Sequence, residues 1–370
     1  MKKSIFTVLL LIIVIATAPL ISVAMNSEKY NKEKNISEKT TETDKAVTAT
    51  AKSTTEASEE TSKATEKINE ATIKNVEPST KSSSATSDCS FKIFDKSTNN
   101  VITVNDFDFC CGALATETEA DIPFEALKAQ AIAVHTYYSY LRNESRNSNK
   151  EYDFECNSKI WQVYVSESQL KEKLGDTFDD TYNTIKKAVN EVSDTFVLYE
   201  NKLCMTKYFE ISSGTTYSNK EIYNEDIPYL QSIPSPFDTL ANNYKTEVIF
   251  SEDEFNKTLK EKYSNYTPKD SPNENISDID ITEHGAVLKL KVGNTEITGD
   301  DFVDIFNLRS RNFSISYTNE KYSITVLGYG ENIGLSKFGA CEMSKQGSDY
   351  LEILQHYYPN TEIVKGYAPL

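Results

Sequence analysis

The stretch Pro123-Phe-Glu-Ala-Leu-Lys-Ala-Gln-Ala-Ile-Ala-Val-His-Thr-Tyr-Tyr-Ser-Tyr-Leu141 gives the clearest indication of how this chain folds. Its apolar residues recur at the spacing of one helix face: Phe124, Leu127, Ala131, Val134, Tyr138 and Leu141. The proline suits the first turn of a helix, and Asp121 and Glu125 put negative charge near the positive helix end. The segment therefore predicts a helix over 123–141 with one face in the core.

Outward from this helix, shorter patterns predict further elements. Ser251 and Glu254 form a capping box, which marks the start of a helix. The predicted helices span 180–192, 251–263, 334–346 and 349–358. The predicted strands span 195–199, 204–211, 279–282, 286–292, 313–317 and 322–327, the first two of them as a hairpin. Because helices and strands are interspersed without a βαβ rhythm, we predict the α+β class.

The charge balance excludes some classes of partner. The chain has 370 residues and a formal net charge of −17, with 56 acidic residues against 39 basic ones. A general nucleic-acid-binding protein needs a basic surface to neutralise phosphates, so we predict no nucleic-acid partner. A neutral polysaccharide or a partner protein fits this composition better.

The N-terminal residues predict export from the cytoplasm. Lys2 and Lys3 precede an apolar run over 5–25, which is long enough to span a bilayer with its start in the cytoplasm. We expect 1–25 to be a single-pass membrane anchor; a signal peptide cleaved after Ala24 is the alternative. Residues 26–87, rich in Ser, Thr, Lys and Glu, are predicted to be a disordered stalk. Residues 88–370 then form one folded domain outside the cell membrane.

The cysteines leave two alternatives open. An even number of them, six, in an exported chain permits disulfide bonds, but a sequence does not determine their pairing. Small buried thiols are an equally good interpretation. The adjacent pair Cys110 and Cys111 cannot bridge to each other without strain.

Carboxylates are the best candidates for chemistry. The chain shows no Ser-His-Asp order, zincin motif, phosphate-binding loop or dinucleotide fingerprint. Four acidic residues cluster around the start of the predicted helix: Glu117, Glu119, Asp121 and Glu125. Glu117 follows a stretch of small and apolar residues, so it fits a buried general acid that protonates a glycosidic oxygen. Acidic residues that only complement the helix dipole are the alternative.

Several segments together resemble the stage II sporulation protein D family, which includes amidase-enhancer relatives. Residues 117–137 are similar to the family's Glu-Met-Pro, Glu-Ala-Leu-Lys-Ala-Gln-Ala and Ala-Arg-Thr-Tyr motifs. Residues 330–340, Gly-Glu-Asn-Ile-Gly-Leu-Ser-Lys-Phe-Gly-Ala, are similar to its Gly-His-Gly-Val-Gly-Met-Ser-Gln-Tyr-Gly-Ala motif. Shorter matches occur at 212–216, 228–232 and 349–359, in the family's order, and a weaker one occurs at 308–310. The resemblance covers about 89–364.

The resemblance implies a membrane-anchored lytic transglycosylase that acts on peptidoglycan glycan strands already stripped of their stem peptides. The family's catalytic glutamate corresponds to Glu117, which would act first as acid and then as base. The resemblance also implies a role in sporulation, in engulfment of the forespore, with stage II sporulation proteins P and M as partners. Within the matched segments we predict five substrate-binding residues: Lys128, His135, Ser213, Glu331 and Ser336.

The sequence also departs from the family pattern. His135 replaces an arginine and Glu331 replaces a histidine, and His135 fits a core histidine as well as a glycan contact. Some members bind zinc through a histidine and two cysteines, where this chain keeps Cys156 but has Ile160 and Trp161. One thiolate cannot form a structural zinc site, so we predict no zinc and no other cofactor. Trp161 is predicted to pack in the core, with sugar stacking as the alternative.

These departures motivate a second hypothesis about function. The chain would keep the fold and the affinity for glycan but be catalytically impaired, and it would stimulate a partner cell-wall amidase. The enhancer relatives of the family suggest such a role.

Overall fold

A computed structural model describes residues 74–75, 90–117 and 122–366. Within these ranges the helices α1 to α9 span Asp106–Glu117, Phe124–Asn147, Glu167–Leu174, Phe178–Val192, Asn219–Tyr223, Glu252–Lys262, Gly299–Phe306, Lys337–Lys345 and Tyr350–Tyr357. Short 3-10 helices span Ser158–Ile160, Gly175–Thr177, Pro236–Leu240 and Pro272–Glu274.

The strands form several small sheets. Strands β1 to β15 span Lys74–Asn75, Ser90–Asp95, Asn100–Asn105, Phe154–Cys156, Thr195–Tyr199, Lys202–Leu203, Tyr208–Phe209, Lys245–Ser251, Ile276–Ile281, Val287–Val292, Thr295–Thr298, Phe313–Thr318, Lys321–Leu327, Leu335–Ser336 and Glu362–Lys365. The strand orders are β1-β15-β5-β6, β3-β2-β4, β14-β7, β11-β10-β9 and β12-β13-β8. This mixture of helices and small sheets confirms the predicted α+β class.

Helix α2 is the centre of the larger of the two main hydrophobic cores. It packs against α1, α4, α8 and α9, and most of its residues from Ala126 to Thr136 are almost completely buried. The residues on the face of α2 that sequence periodicity identified are part of this core. The buried alanines Ala126, Ala129 and Ala133 also belong to it, and their small side chains let neighbouring elements approach closely. We call the elements outside 245–327 that surround this core the main lobe.

Residues 245–327 build a second hydrophobic core of their own, and we call them the small lobe. Strands β8, β12 and β13 form one of its sheets and β9 to β11 the other, with α6 and α7 packed against them. Phe255 stacks on Phe306 with ring centroids 4.7 Å apart, and on Tyr322 at 4.0 Å. Burial of these aromatic rings makes a large apolar contribution to the stability of the lobe.

Several local predictions are confirmed. The central helix starts at Phe124, one residue after the predicted start, and runs to Asn147, six residues beyond the predicted end. The capping box of Ser251 and Glu254 is present at the start of α6. The predicted strands of the small lobe are all observed within a few residues of their predicted bounds.

One part of the predicted hairpin is wrong. Strand β5 does pair with a following strand, but that strand is limited to Lys202–Leu203. The chain then leaves the sheet, and Tyr208–Phe209 pairs in parallel with Leu335–Ser336 instead. The sequence pattern did not reveal this switch of partner because the new partner lies far along the chain.

The predicted N-terminal anchor over 1–25 lies outside the described residues. In the part of the chain that the structure describes, no helix is long and apolar enough to cross a membrane. Most of the predicted stalk also lies outside the description, although Lys74–Asn75 within it pairs in parallel with Val364 and Lys365.

The cysteines that the structure places in the interior follow the buried-thiol interpretation. Cys110, Cys111, Cys156 and Cys204 are buried free thiols. Burial raises the pKa of Cys111 and of Cys156 to about 12, so both thiols stay protonated at neutral pH.

Candidate active site

Helix α1 carries Glu117 to the edge of the main lobe. Its residues from Phe109 to Leu114 are buried, so this helix is apolar on all sides and its polar residues are confined to the ends. At the first end, Asp106 accepts from Arg142 Nη1 at 2.7 Å and lies 3.2 Å from His135 Nε2. These contacts fix α1 on α2 and thereby set the position of Glu117, its last residue.

The short pairing between β7 and β14 forms the opposite side of the site. Its register aligns Leu335 with Tyr208 and Ser336 with Phe209. Gly334 has a φ of 87°, and a Cβ at this position would lie 2.0 Å from the carbonyl oxygen of Lys207, so only glycine permits this approach. Helix α8 begins immediately after β14 and therefore presents Lys337 to the site.

Three side chains meet around the carboxyl group of Glu117. The ammonium of Lys337 lies 3.3 Å from Glu117 Oε2 and donates to the backbone carbonyl of the same residue at 3.4 Å. It also forms an ion pair with Glu210. The hydroxyl of Tyr208 donates to Glu117 Oε1 at 3.4 Å. The carboxyl group is therefore held from two directions.

The environment of Glu117 favours its protonated form. Desolvation raises the pKa of Glu117 above its usual range, and nearby Glu210 adds to this, while Lys337 and the Tyr208 hydroxyl oppose it without cancelling it. The residue also ends a helix, where the helix dipole disfavours negative charge. Dipole complementarity, the alternative from the sequence, therefore does not account for Glu117.

Lys337 stays charged in the same surroundings. Burial alone would lower the pKa of this lysine, but the carboxylates of Glu117 and Glu210 raise it overall. The site thus combines an acid whose proton is retained to higher pH with a permanent cation beside it. This pairing is typical of a group that gives a proton away and is then stabilised as an anion.

A cleft of about 580 Å³ opens over Glu117. The main lobe supplies most of its lining, and the small lobe contributes Arg309. The residues that line it are Thr116, Glu117, Ile122, Gln130, Glu210, Ile211, Asn242, Asn243, Arg309, Tyr329, Lys337, Phe338 and Cys341. Amides, a guanidinium and aromatic rings around a carboxyl group are groups suited to binding a sugar chain.

The structure describes all six predicted site residues, and Glu117 is the one of them that lines this cleft. Lys128 is buried, pairs with Glu125 at 2.6 Å and lies over the ring of Tyr350. His135 is buried beside Asp106, with the ring of Phe196 at 4.5 Å. Both residues belong to the packing of α2 against its neighbours.

The other three predicted residues lie near β14 and the loop before it. Ser213 accepts from Asn332 Nδ2 at 3.0 Å. Glu331 is exposed and pairs with Lys207 at 2.9 Å. Ser336 is fully buried, where it caps α8 and donates to Asp238 Oδ1 at 2.7 Å. Their contacts in the structure are with protein groups, and their roles in binding substrate stay predictions.

Several residues around Glu117 were not predicted as site residues. Lys337 lies within the quoted glycine-rich motif, at a position where the family motif has glutamine. This charged residue in a motif segment could have been predicted as a site residue. Gln130 lies in the quoted Glu-Ala-Leu-Lys-Ala-Gln-Ala segment of α2, where it is 3% exposed and lines the cleft. Arg309 lies in the short segment 308–310, whose resemblance to the family is weak, and Glu210 had no pattern that connects it with Glu117.

The residues around Cys156 do not fit the zinc site known from some family members. Burial keeps the thiol of Cys156 protonated, and a metal needs the thiolate. Trp161, in place of a second cysteine, packs against the main core and has Lys173 Nζ 3.5 Å from the centre of its ring. Among the described residues, no cluster of histidine, cysteine and acidic side chains has the arrangement of a metal site.

Comparisons with known proteins agree with the motifs. A family model described as "Stage II sporulation protein" matches residues 95–199. Stage II sporulation protein D of Bacillus amyloliquefaciens is 28% identical over 78% of this chain and 81% of its own length. Stage II sporulation protein D of Bacillus subtilis strain 168 is 27% identical, over 69% of this chain and 73% of its own.

A third relative has a different name. The amidase enhancer of Bacillus subtilis strain 168 is 23% identical over 68% of this chain and 40% of its own length. The family model and these relatives together support the assignment of this chain to the stage II sporulation protein D and amidase-enhancer family.

Proposed function

We propose that this protein is a lytic transglycosylase, which cleaves peptide-stripped glycan strands of peptidoglycan and leaves 1,6-anhydro-muramyl ends. The observation that carries the proposal is the state of Glu117. It is a half-buried carboxyl group at the base of a cleft, with a raised pKa and a hydroxyl and an ammonium held against it. These are the properties that a general acid for glycosidic cleavage requires.

One carboxyl group suffices for this reaction. Protonated Glu117 gives its proton to the glycosidic oxygen, and the bond from that oxygen to C1 of the muramyl residue breaks. The 6-hydroxyl of the same sugar forms the new bond to C1 and releases its proton to the Glu117 carboxylate. The acid is thereby restored and no water is consumed. Because nucleophile and electrophile belong to one sugar, proximity favours this ring closure.

The neighbours of Glu117 have defined roles in this scheme. Lys337 stabilises the carboxylate that remains after the first proton transfer, since its ammonium is already 3.3 Å from Oε2. Tyr208 holds Oε1 through its hydroxyl. Glu210 also pairs with Lys337, so the charge of the lysine is shared between two carboxyl groups. Its effect on the pKa of Glu117 is therefore weaker than that of an ion pair with Glu117 alone.

The test is a comparison of the chain with its Glu117→Gln variant on peptide-free glycan strands. Mass spectrometry of the products measures the anhydro-muramyl ends. We expect the variant to lose at least roughly 100-fold in rate, because acid–base catalysis contributes about that much or more. Glu342→Gln, a change of an acidic residue of α8 outside the cleft, is the matched control and should keep full activity. Equal rates for the Glu117→Gln variant and the wild type would refute the proposal.

A second candidate function is stimulation of a cell-wall amidase without glycan cleavage. Its support is the relative that is named an amidase enhancer. If the wild type increases the rate of a purified amidase and forms no anhydro ends, and Glu117→Gln stimulates equally, this second function replaces the first.

The proposed setting rests on the N-terminal apolar run and on the resemblance to the stage II sporulation protein D family. Residues 1–25 anchor the chain in the cell membrane, and the domain acts outside it during engulfment of the forespore. Stage II sporulation proteins P and M are the proposed partners there. The names of the relatives support a role in sporulation and at the cell wall.

A further inference from the structure

Arg309 brings a positive charge into the cleft that no carboxylate of the described residues neutralises. It lies just after α7 and lines the same cleft as Glu117. The cleft's other lining cation, Lys337, is already shared between Glu117 and Glu210. The next arginine in the chain, Arg311, pairs with Asp300 and lies outside the lining. The other three arginines, Arg142, Arg146 and Arg311, each pair with an acidic residue, so Arg309 differs from them within the part of the chain that the structure describes.

The guanidinium of Arg309 is held in place by the protein. Its Nη1 donates to the carbonyl oxygen of Asn243 at 3.3 Å, and its central carbon lies 4.0 Å from the centre of the Tyr329 ring. Asn243 and Tyr329 line the cleft as well. A guanidinium has five N–H donors, and one of those of Arg309 bonds to Asn243, so the others are left for a ligand. The contact with the Tyr329 ring restrains the guanidinium.

A planar guanidinium recognises a carboxylate through two parallel hydrogen bonds. A glycan strand of alternating N-acetylglucosamine and N-acetylmuramic acid offers only one kind of ionised group, the carboxylate of the lactyl ether on each muramic acid. This carboxylate is free when the stem peptide has been removed. It is a neutral amide, with a peptide attached, when the stem peptide is still present.

We propose that Arg309 binds the lactyl carboxylate of muramic acid and thereby makes the cleft selective for peptide-stripped strands. This inference rests on the proposed function for its substrate. It adds the group that is recognised, the residue that recognises it and the reason that a peptide-bearing strand is a poor ligand. A stem peptide removes the charge that Arg309 pairs with and adds bulk at the same place.

Two forms of one substrate test this inference. Peptide-free strands are compared with the same strands after their lactyl carboxylates have been converted to methylamides, which removes the charge and adds little bulk. We expect kcat/KM of the wild type to be roughly 10- to 100-fold higher on the acidic strands, as hydrogen bonds to a charged group contribute that much. In Arg309→Gln the preference disappears. Arg309→Lys keeps the positive charge but lacks the planar guanidinium that forms two parallel hydrogen bonds, so we expect it to retain part of the preference for acidic strands.

Arg311→Gln is the matched control, because it removes an arginine two residues away whose partner is Asp300. It should keep the preference of the wild type. A wild type that cleaves both substrates at equal rates would overturn the inference, and so would an Arg309→Gln variant that still prefers the acidic strands.

Failure of the proposed function is distinguishable from failure of this inference. If the wild type forms no anhydro ends from either substrate, the transglycosylase assignment fails. Binding of both strands is then measured directly, with the Glu117→Gln chain in two versions, with and without Arg309→Gln. Tighter binding of the acidic strand that depends on Arg309 supports the inference, and equal binding of the two strands refutes it.

Discussion

The ammonium of Lys337 lies 3.3 Å from Glu117 Oε2, although 220 residues separate the two in the sequence. The pairing of β7 with β14 brings them together, because it places the start of α8 beside the end of α1. Lys337 also contacts Glu210, so one cation lies between two carboxyl groups. The acid strength of Glu117 therefore depends on a balance between burial, which raises its pKa, and this lysine, which lowers it.

Removal of this cation should change the pH dependence of the reaction. The first step needs protonated Glu117, so activity falls as the pH rises through the pKa of this residue. Lys337→Gln removes the attraction that lowers this pKa, so the alkaline limb of the kcat/KM profile should move to higher pH. The pH–rate profile for formation of anhydro ends measures this directly.

Lys345→Gln is the control for that experiment. Lys345 lies on the same helix, is exposed and pairs with Glu342, so its removal should leave the profile in place. An alkaline limb of Lys337→Gln that stays in place or moves to lower pH would show that Lys337 does not set the acid strength of Glu117.

The buried amide of Gln130 should lower the stability of the free protein but contribute to the binding of substrate. Its side-chain amide is buried at the cleft and has no hydrogen-bond partner among the described residues. Gln130→Leu removes an unsatisfied buried amide, so the free energy of unfolding should rise by about 1 kcal/mol. Because the amide is then unable to bond to a sugar, KM should rise as well. Urea unfolding and steady-state kinetics measure the two effects, and a less stable variant would mean that the amide is already satisfied in the folded protein.

The contact between α1 and α2 should be important for stability. Arg142 is 2% exposed, and Asp106 is its acidic partner. Asp106→Asn leaves this buried cation without a carboxylate, which should cost about 3 kcal/mol of unfolding free energy. Asp108→Asn changes an exposed residue of the same helix and should cost less than about 1 kcal/mol. Denaturant unfolding of the two variants compares them, and similar losses in both would contradict this role of Asp106.

A hydrogen-bonded carboxylate beside Cys156 should make the domain sensitive to acid. Burial disfavours the charge of Asp95, but hydrogen bonds from Ser158 and Ser97 lower its pKa to about 2. An unfolded aspartate has a pKa of about 3.9. The stabilisation from this depressed pKa is therefore complete above about pH 4 and is lost as the pH falls toward 2.

Asp95→Asn tests that stabilisation. The difference in unfolding free energy between the wild type and this variant should be largest above pH 4 and should shrink toward pH 2. Asp304→Asn, at an exposed position, should show no such trend. A difference for Asp95→Asn that is constant from pH 5 to pH 2 would show that its carboxyl pKa is not lowered in the folded protein.

Sequence patterns predicted the elements whose own residues determine them. Helix α2 has a regular apolar face, and α6 begins at a capping box, so both were found. Helix α1 was missed because the run from Phe109 to Leu114 is buried on every side and therefore has no helical periodicity to detect. The predicted strand over 204–211 was longer than the observed β7, because β7 pairs with Leu335–Ser336 and this distant partner is determined by tertiary contacts.

The candidate site was predictable only in part for the same reason. Glu117 was identified through its position in a motif, and the structure explains its chemistry through burial and through Lys337. Lys128 and His135, predicted as substrate contacts, lie in the packing around α2, and their role in binding substrate stays a prediction. Arg309 is nearly two hundred residues from Glu117 in the sequence and joins the cleft through the fold of the small lobe. Local sequence patterns carry no information about contacts between residues that are this far apart in the chain.

The most direct test of the proposed chemistry of Glu117 is the source of the oxygen at the new chain end. Peptide-free glycan is cleaved in water enriched in heavy oxygen, and the products are weighed by mass spectrometry. If Glu117 catalyses attack by the sugar's own 6-hydroxyl, the muramyl ends are anhydro forms that contain no oxygen from the solvent. If the ends instead are reducing sugars that carry heavy oxygen, water is the nucleophile and the protein is a hydrolase, which contradicts the role of Glu117 as the acid and base of an internal ring closure.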